Sequence, residues 1–239
     1  MVMIKKKYLI IVPARSGSTQ IKNKNLQKIN GIPLIDFSIN FALKIKLKKE
    51  DRVLCVTTNS SKIIKNCKKF KGITLLKRSN KISGKFSRDI LYVNHCLNYF
   101  GKKRILFKNI MILRPTNPIR THQMVNKAMK LFEKRNAESL KTLYPTKKTP
   151  YKTWILEKNN VMNIVAKCKV LDSHNTPRQI LPKTFDQTGT LDILKVNYKA
   201  KLKSYSGKKI IGLIISKNES MDIDTREDLY DFKNFLKKN

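Results

Sequence analysis

Between Val12 and Leu26 the chain reads VPARSGSTQIKNKNL, with Arg15, Lys22 and Lys24, the small residues Ser16, Gly17 and Ser18, and no acidic side chain. Glycine lets the backbone turn and aim N–H groups inward, and guanidinium and ammonium groups neutralise anionic oxygens. Those are the parts of a phosphate cradle. Far downstream, Asp222 and Asp224 alternate around Ile223. In extended backbone such residues face one side, so the two carboxylates form a hard-oxygen site suited to Mg²⁺ that shares its coordination with phosphates. Each stretch has a plainer reading. The first could be a solvated basic turn, and in the second Asp224 could cap a final helix that has Asp228 in its first turn. The acid-free basic loop and the paired acids in one chain favour the metal–phosphate reading. The loop does not fit G-x-x-x-x-G-K-[ST], and one glycine cannot make G-x-G-x-x-G.

Elements of a definite kind must position these residues. The apolar run Tyr8–Val12 predicts a buried strand, and Pro33–Lys46 a helix with a broad apolar face. Strands are expected at 52–57, 73–76, 109–113, 191–196 and 209–215. Helices are expected at 62–70, 89–100, 121–135 and 226–236. The alternation of strand and helix predicts an α/β fold, with a mainly parallel sheet covered by helices. In such folds ligands sit beyond the carboxyl ends of the strands, where the loops at 13–25, 57–61 and 114–120 would lie. From Tyr144 to Asp186 the rhythm breaks. Pro145, Pro150, Pro177 and Pro182 separate two short β-like runs, 153–156 and 161–168, as expected of an inserted arm or hairpin within one domain spanning 1–239.

Composition sets the limits. The 239 residues carry a formal charge of +36, from 52 basic and 16 acidic side chains. That charge permits attraction to nucleic acid, anionic membranes or phosphorylated substrates. The basic residues are spread along the chain and lysine greatly outnumbers arginine, so no dedicated nucleic-acid or membrane partner is expected. The four cysteines, Cys55, Cys67, Cys96 and Cys168, lack C-x-x-C spacing and fit a reducing, cytoplasmic setting. The run ending at Val12 is too short for a signal peptide, and no stretch reaches transmembrane length. His95, His122 and His174 are each isolated and are expected to pack or face solvent.

Four segments, IVPARSGSTQIKNKNL with GIPLIDFSI, LRPTNPIR, PRQILPKTFDQTG and MDIDTREDL, together resemble the acylneuraminate cytidylyltransferase family. These are the enzymes that make CMP-sialic acid and its legionaminate and pseudaminate relatives, used in cell-surface polysaccharide biosynthesis. Lys24-Asn25, where the enzymes for the eight-carbon deoxyoctulosonate tend to have Lys-Pro, tilts the resemblance toward nine-carbon acids. The resemblance implies a Rossmann-like nucleotidyltransferase fold, CTP as substrate, Mg²⁺ as cofactor, and a homodimer whose arm at 144–186 reaches the neighbouring site. It implies that Arg15, Ser18 and Lys24 contact the triphosphate beside Ala14, with Asn25 and Arg78 near the cytidine. Asp222 and Asp224 would hold the metal, making Arg15, Lys24 and the two aspartates the catalytic set. Arg114, Thr116 and Asn117 would border the sugar acid, and Lys152, Arg178 and Gln179 would approach it across the dimer.

The chain also departs from the family. Thr19-Gln20 stands where Lys-Arg is usual, with Lys22 as a candidate replacement, and Asn59 replaces a frequent Asp. Lys85 replaces an acid in the Gly84 loop. Arg114 stands where Gln is typical, which implies a sugar pocket of altered size and charge. The competing readings are a cytidylyltransferase for deoxyoctulosonate, a catalytically impaired family member, and a basic nucleic-acid-binding protein.

Overall fold

A computed structural model describes residues 2–18 and 20–238. Its centre is β1 (Ile4–Pro13), whose inner half is fully buried. β1 pairs in parallel with β4 (Arg52–Thr58) on one side and with β6 (Ile105–Ile112) on the other. Beyond β4 lies β5 (Ile73–Lys77), also parallel. Beyond β6 lies β10 (Phe185–Lys195), which runs antiparallel to it and to the next strand, β7 (Ser139–Pro145). β11 (Ile210–Ile214) completes the far edge, parallel to β7. The seven-stranded order is therefore β11-β7-β10-β6-β1-β4-β5, with one strand against the rest. This is the mainly parallel, Rossmann-like sheet expected from the alternating pattern.

Side-chain alternation divides the core into two layers. Ile10 and Val12 of β1 face α1 (Leu34–Lys44), α2 (Ser61–Cys67) and α4 (His122–Lys134), while Leu9 and Ile11 face α3 (Asp89–Lys102). The helix starts follow from side-chain capping: the Ser60 hydroxyl accepts from the Ile63 amide, and that of Thr121 from the Met124 amide. A third cluster joins Ile29 of the short ribbon β2 (Lys28–Ile29) and β3 (Ile32–Pro33) to Ile223 and to Phe232 of α5 (Arg226–Lys238). Phe37 meets Phe232 edge to face at 5.2 Å. The last helix is thereby docked beneath the Asp222–Asp224 segment.

β7 escapes the pattern reading of the sequence, and β6 and β10 both begin earlier than their apolar runs predict. The strands bracketing the arm run into it, so the irregular part is 146–184. Within it β8 (Trp154–Leu156) and β9 (Met162–Ile164) form an antiparallel hairpin close to the two expected runs. Trp154, Ile155, Leu156 and Met162 are exposed there. Among the described residues no helix is long and apolar enough to cross a membrane. All four cysteines are free.

Candidate active site

The sheet order reverses beside β1, since its crossover leads to β4 on one side while the chain returns to β6 on the other. Loops leaving such neighbours diverge and leave a crevice at the strand ends. Here it is a cleft of about 270 Å³. Arg15, Ser18, Lys24, Asn25, Arg78, Arg114, Thr116 and Asp224 all border it, so most of the residues singled out in the sequence converge. Ala14 is buried and does not border the cleft, its amide donating to the Thr57 carbonyl.

The loop after β1 is held from several sides. Gly17 has φ +83°, which favours glycine, and the loop then ends in a single 3₁₀ turn at Lys24–Leu26. Asn59 anchors its middle: the side-chain carbonyl accepts from the Ser16 amide at 2.8 Å, and its amide group donates to Ser16 Oγ and Asn80 Oδ1. An aspartate could not make those two donations, so the departure at position 59 has a structural use. The Asn25 amide group holds the Arg15 carbonyl. Lys22, the candidate replacement for the cation missing at Thr19-Gln20, is exposed and does not border the cleft. Thr19 lies outside the described residues.

Lys24 is buried and crosses the cleft. Its Nζ donates to the Ile223 carbonyl at 2.8 Å and to Asp224 Oδ1 at 2.7 Å, joining positions 200 residues apart. Ile223 is the buried anchor between two exposed aspartates, and its amide donates to the Thr116 carbonyl at 2.8 Å. Asp224 does not cap α5. Thr225 does, with its hydroxyl accepting from the Asp228 amide while the Asp228 carboxylate accepts from the amides of Asp224 and Thr225. The surrounding protein and the neighbouring charge of Asp224 push the Asp222 carboxyl above its ordinary value. A cation between the two would relieve that strain. Among the described residues no group of three or more His, Cys, Asp or Glu side chains could hold a metal, so an ion here would rely on phosphate and water for most of its ligands.

Arg78 forms another wall. It is 6% exposed, its Nε and Nη1 have no hydrogen-bond partner, and its guanidinium lies 5.1 Å from the Tyr92 ring centroid. Burial pulls its pKa below the ordinary arginine value. A buried donor without an acceptor is costly, so this geometry suits an arginine that receives an oxygen from a ligand.

Arg114 is the opposite case. Its Nη1 lies 2.8 Å from Asp192 Oδ2, and its Nη2 lies 2.6 Å from Asp89 and 3.0 Å from the Tyr205 hydroxyl. Burial works against its charge, but Asp192 with the other neighbours outweighs it and holds the pKa above the ordinary value. The expectation that Arg114 adds charge to the sugar pocket is therefore corrected: two carboxylates of the same chain neutralise it. Asn117 is buried and structural, its amide donating to the Met221 carbonyl at 3.1 Å. Arg120 ties the same loop down through the carbonyls of Thr190 and Arg114 and the hydroxyl of Ser38.

Lys152, Arg178 and Gln179 do not join the cleft within one chain. The Arg178 guanidinium is engaged by the carbonyls of Thr146 and Lys147, and with Gln179 it lines a separate hollow of the arm. The sequence reading missed Asp192, Lys141 and Tyr205. Two of them carried a signal, since Lys141 in SLKTL and Asp192 in LDIL are opposite charges inside runs otherwise fit for central strands.

Comparison with known proteins agrees with this fold. Residues 9–186 match the family described as Cytidylyltransferase. The flagellin modification protein B of Campylobacter coli is 28% identical over 92% of this chain and 91% of its own. The CMP-N,N'-diacetyllegionaminic acid synthase of Campylobacter jejuni is 27% identical over the same shares. Among solved structures, a CMP:2-keto-3-deoxy-manno-octonic acid synthetase complexed with CTP superposes with TM-score 0.68 at 13% identity, covering 98% of this chain and 99% of its own.

Proposed function

The chain belongs to the cytidylyltransferase family, and we propose that it transfers CMP from CTP to the anomeric hydroxyl of a nonulosonic, sialic-acid-like sugar acid, releasing pyrophosphate. The observation that carries this reading is the bridge from Lys24 to Asp224 and the Ile223 carbonyl, which ties the cationic loop to the carboxylate segment across one cleft that Asp224, though not Asp222, borders. Similarity to the legionaminate enzyme supports a nine-carbon acid.

In this reaction the anomeric oxygen bonds to the α-phosphorus while the α–β bridging P–O bond breaks, and the hydroxyl proton is released. No covalent nucleophile of the protein is needed. The chain's work is alignment and charge neutralisation. Arg15 and Lys24 hold triphosphate oxygens, with Ser18 and backbone amides of the loop beside them. Asn25 and the open donors of Arg78 receive the cytidine end. Asp222 and Asp224 fit a Mg²⁺ ion that, when bound, neutralises the phosphates. Arg114 and Thr116 border the sugar acid, with Asn117 fixing their loop. A homodimer completes the site: the exposed apolar hairpin of the arm docks on a second copy, and Lys152 and Arg178, with Gln179, serve its cleft. The setting we propose is cytoplasmic.

Pyrophosphate release measured with CTP, Mg²⁺ and a panel of sugar acids tests the reading. Turnover is expected with a nine-carbon acid and not with 3-deoxy-octulosonate. Release from the eight-carbon acid alone reassigns the substrate. No release from any acid marks an impaired family member.

A further inference from the structure

We propose that Asp192, Tyr205 and Lys141 form a buried clamp that positions Arg114 at the sugar end of the cleft and cancels its charge, so that Arg114 reads neutral hydrogen-bond acceptors on the substrate. The proposal rests on the cytidylyltransferase reading above and names what its sugar pocket selects.

The geometry is closed on three sides. Asp192 is fully buried on β10, and its Oδ2 accepts the Tyr205 hydroxyl proton at 2.7 Å and is ion-paired with Arg114 Nη1 at 2.8 Å, a contact not aligned as a hydrogen bond. Its Oδ1 lies 3.3 Å from Lys141 Nζ on β7. That ammonium stands 4.0 Å from the Tyr205 ring centroid, so the ring and the carboxylate hold it together. Tyr205 comes from the irregular segment between β10 and β11, and its hydroxyl also accepts from Arg114 Nη2. Asp89 supplies the second carboxylate at the cleft surface. Two cations thus meet two anions, and the cluster is neutral.

Room for the arginine is built into β10. A Cβ at Gly189 would collide with Asn117 Oδ1 and press on Arg114 Cδ at 3.3 Å, so the strand stays bare where the side chain passes. Such a cluster is a poor device for stability alone, because apolar packing of the same volume does as well or better. It is a good device for holding one guanidinium in one place, since Nη2 is bonded to Asp89 and Tyr205 while Nη1 is ion-paired with Asp192. A guanidinium so compensated has little net attraction for a carboxylate. With both Nη2 hydrogens committed and Nη1 buried, it keeps its Nε–H for an amide carbonyl or a hydroxyl, the neutral acceptors an acylated sugar acid carries.

Tyr205→Phe tests the clamp with little risk to folding, since it removes only the hydroxyl and leaves the ring beside Lys141. The sugar-acid KM, the CTP KM and kcat are measured for this change in the native and Arg114→Gln backgrounds. In the native background the sugar-acid KM is expected to rise about fivefold, the loss of one hydrogen bond, with the CTP KM and kcat unchanged. In the Arg114→Gln background the same change should leave the sugar-acid KM unmoved, because the hydroxyl acts through Arg114. Equal rises in both backgrounds, a matching rise in the CTP KM, or no rise in the native background overturns the clamp. Calorimetric CTP binding separates the two levels of the argument. A native protein that binds CTP while the KM pattern fails rejects the clamp alone, whereas a native protein that binds no CTP rejects the cytidylyltransferase reading beneath it.

Discussion

Two arginines line the same cleft and are treated in opposite ways. Arg78 is buried with two nitrogens that lack a hydrogen-bond partner, whereas Arg114, with one such nitrogen, is ion-paired with two carboxylates and hydrogen-bonded to a tyrosine. The first wall leaves its cation for an incoming ligand to satisfy. The second completes its cation in advance. Residue type therefore says little about a basic pocket until the counter-charges are placed, and in a chain of +36 the scarce acids decide which cations are available.

Removing the counter-charge should have the largest effect. Asp192→Ala leaves Arg114 and Lys141 buried without their shared anion, and urea unfolding should show a loss of about 3–5 kcal/mol. A loss below about 1 kcal/mol would erase the contrast between the two walls. Arg78→Met is the reciprocal change. Stability should hold or rise slightly, because an unsatisfied buried group is removed, while calorimetry should show CTP affinity falling about ten- to hundredfold, the range of charge-assisted hydrogen bonds. Unchanged CTP affinity would mean that its open donors serve no ligand.

A smaller effect is expected at Asn59. Asn59→Asp abolishes both donations and sets a carboxylate against Asn80 Oδ1, loosening the phosphate loop by about 1 kcal/mol. CTP affinity should drop severalfold, as read by the same titration. The smallest effect concerns His95, whose Nδ1 is buried without a partner. Burial, then the charge of Arg78, lowers its pKa in the folded protein. The unfolded chain then takes up this proton first on acidification, so the contribution of His95 to stability is full above about pH 6.5 and is lost as pH falls through the lower folded value. Thermal melts from pH 7.5 downward should fall less steeply in His95→Gln. Identical slopes would detach His95 from the cationic wall.

The fold was largely legible because apolar runs and capping residues are local signals. The unbroken apolar run from Tyr8 to Val12 and the polar stop at Thr58-Asn59-Ser60 translate directly into a buried strand and a capped helix. β7 was not legible, since its inward-facing Lys141 makes a central strand read as surface. The cleft's cations could be named from their loops, but their state could not. Whether Arg114 is free depends on Asp192, Asp89 and Tyr205, which meet only after four separate segments fold. Lys152 and Arg178 show the same limit from the other side: both were expected to serve the cleft, yet one chain leaves them on the arm.

The bridge from Lys24 to Asp224 also sets an order of events during synthesis. The loop after β1 is made 200 residues before Asp224, so its buried ammonium lacks these acceptors until the segment before α5 follows. Phe232 of α5 must then seat against Phe37 to keep that segment in place. Closing so long a loop is a late, entropically costly contact. A nascent chain therefore holds an incomplete cleft until α5 has been made, and a variant lacking only α5 should lose the function of a cleft whose other walls are intact.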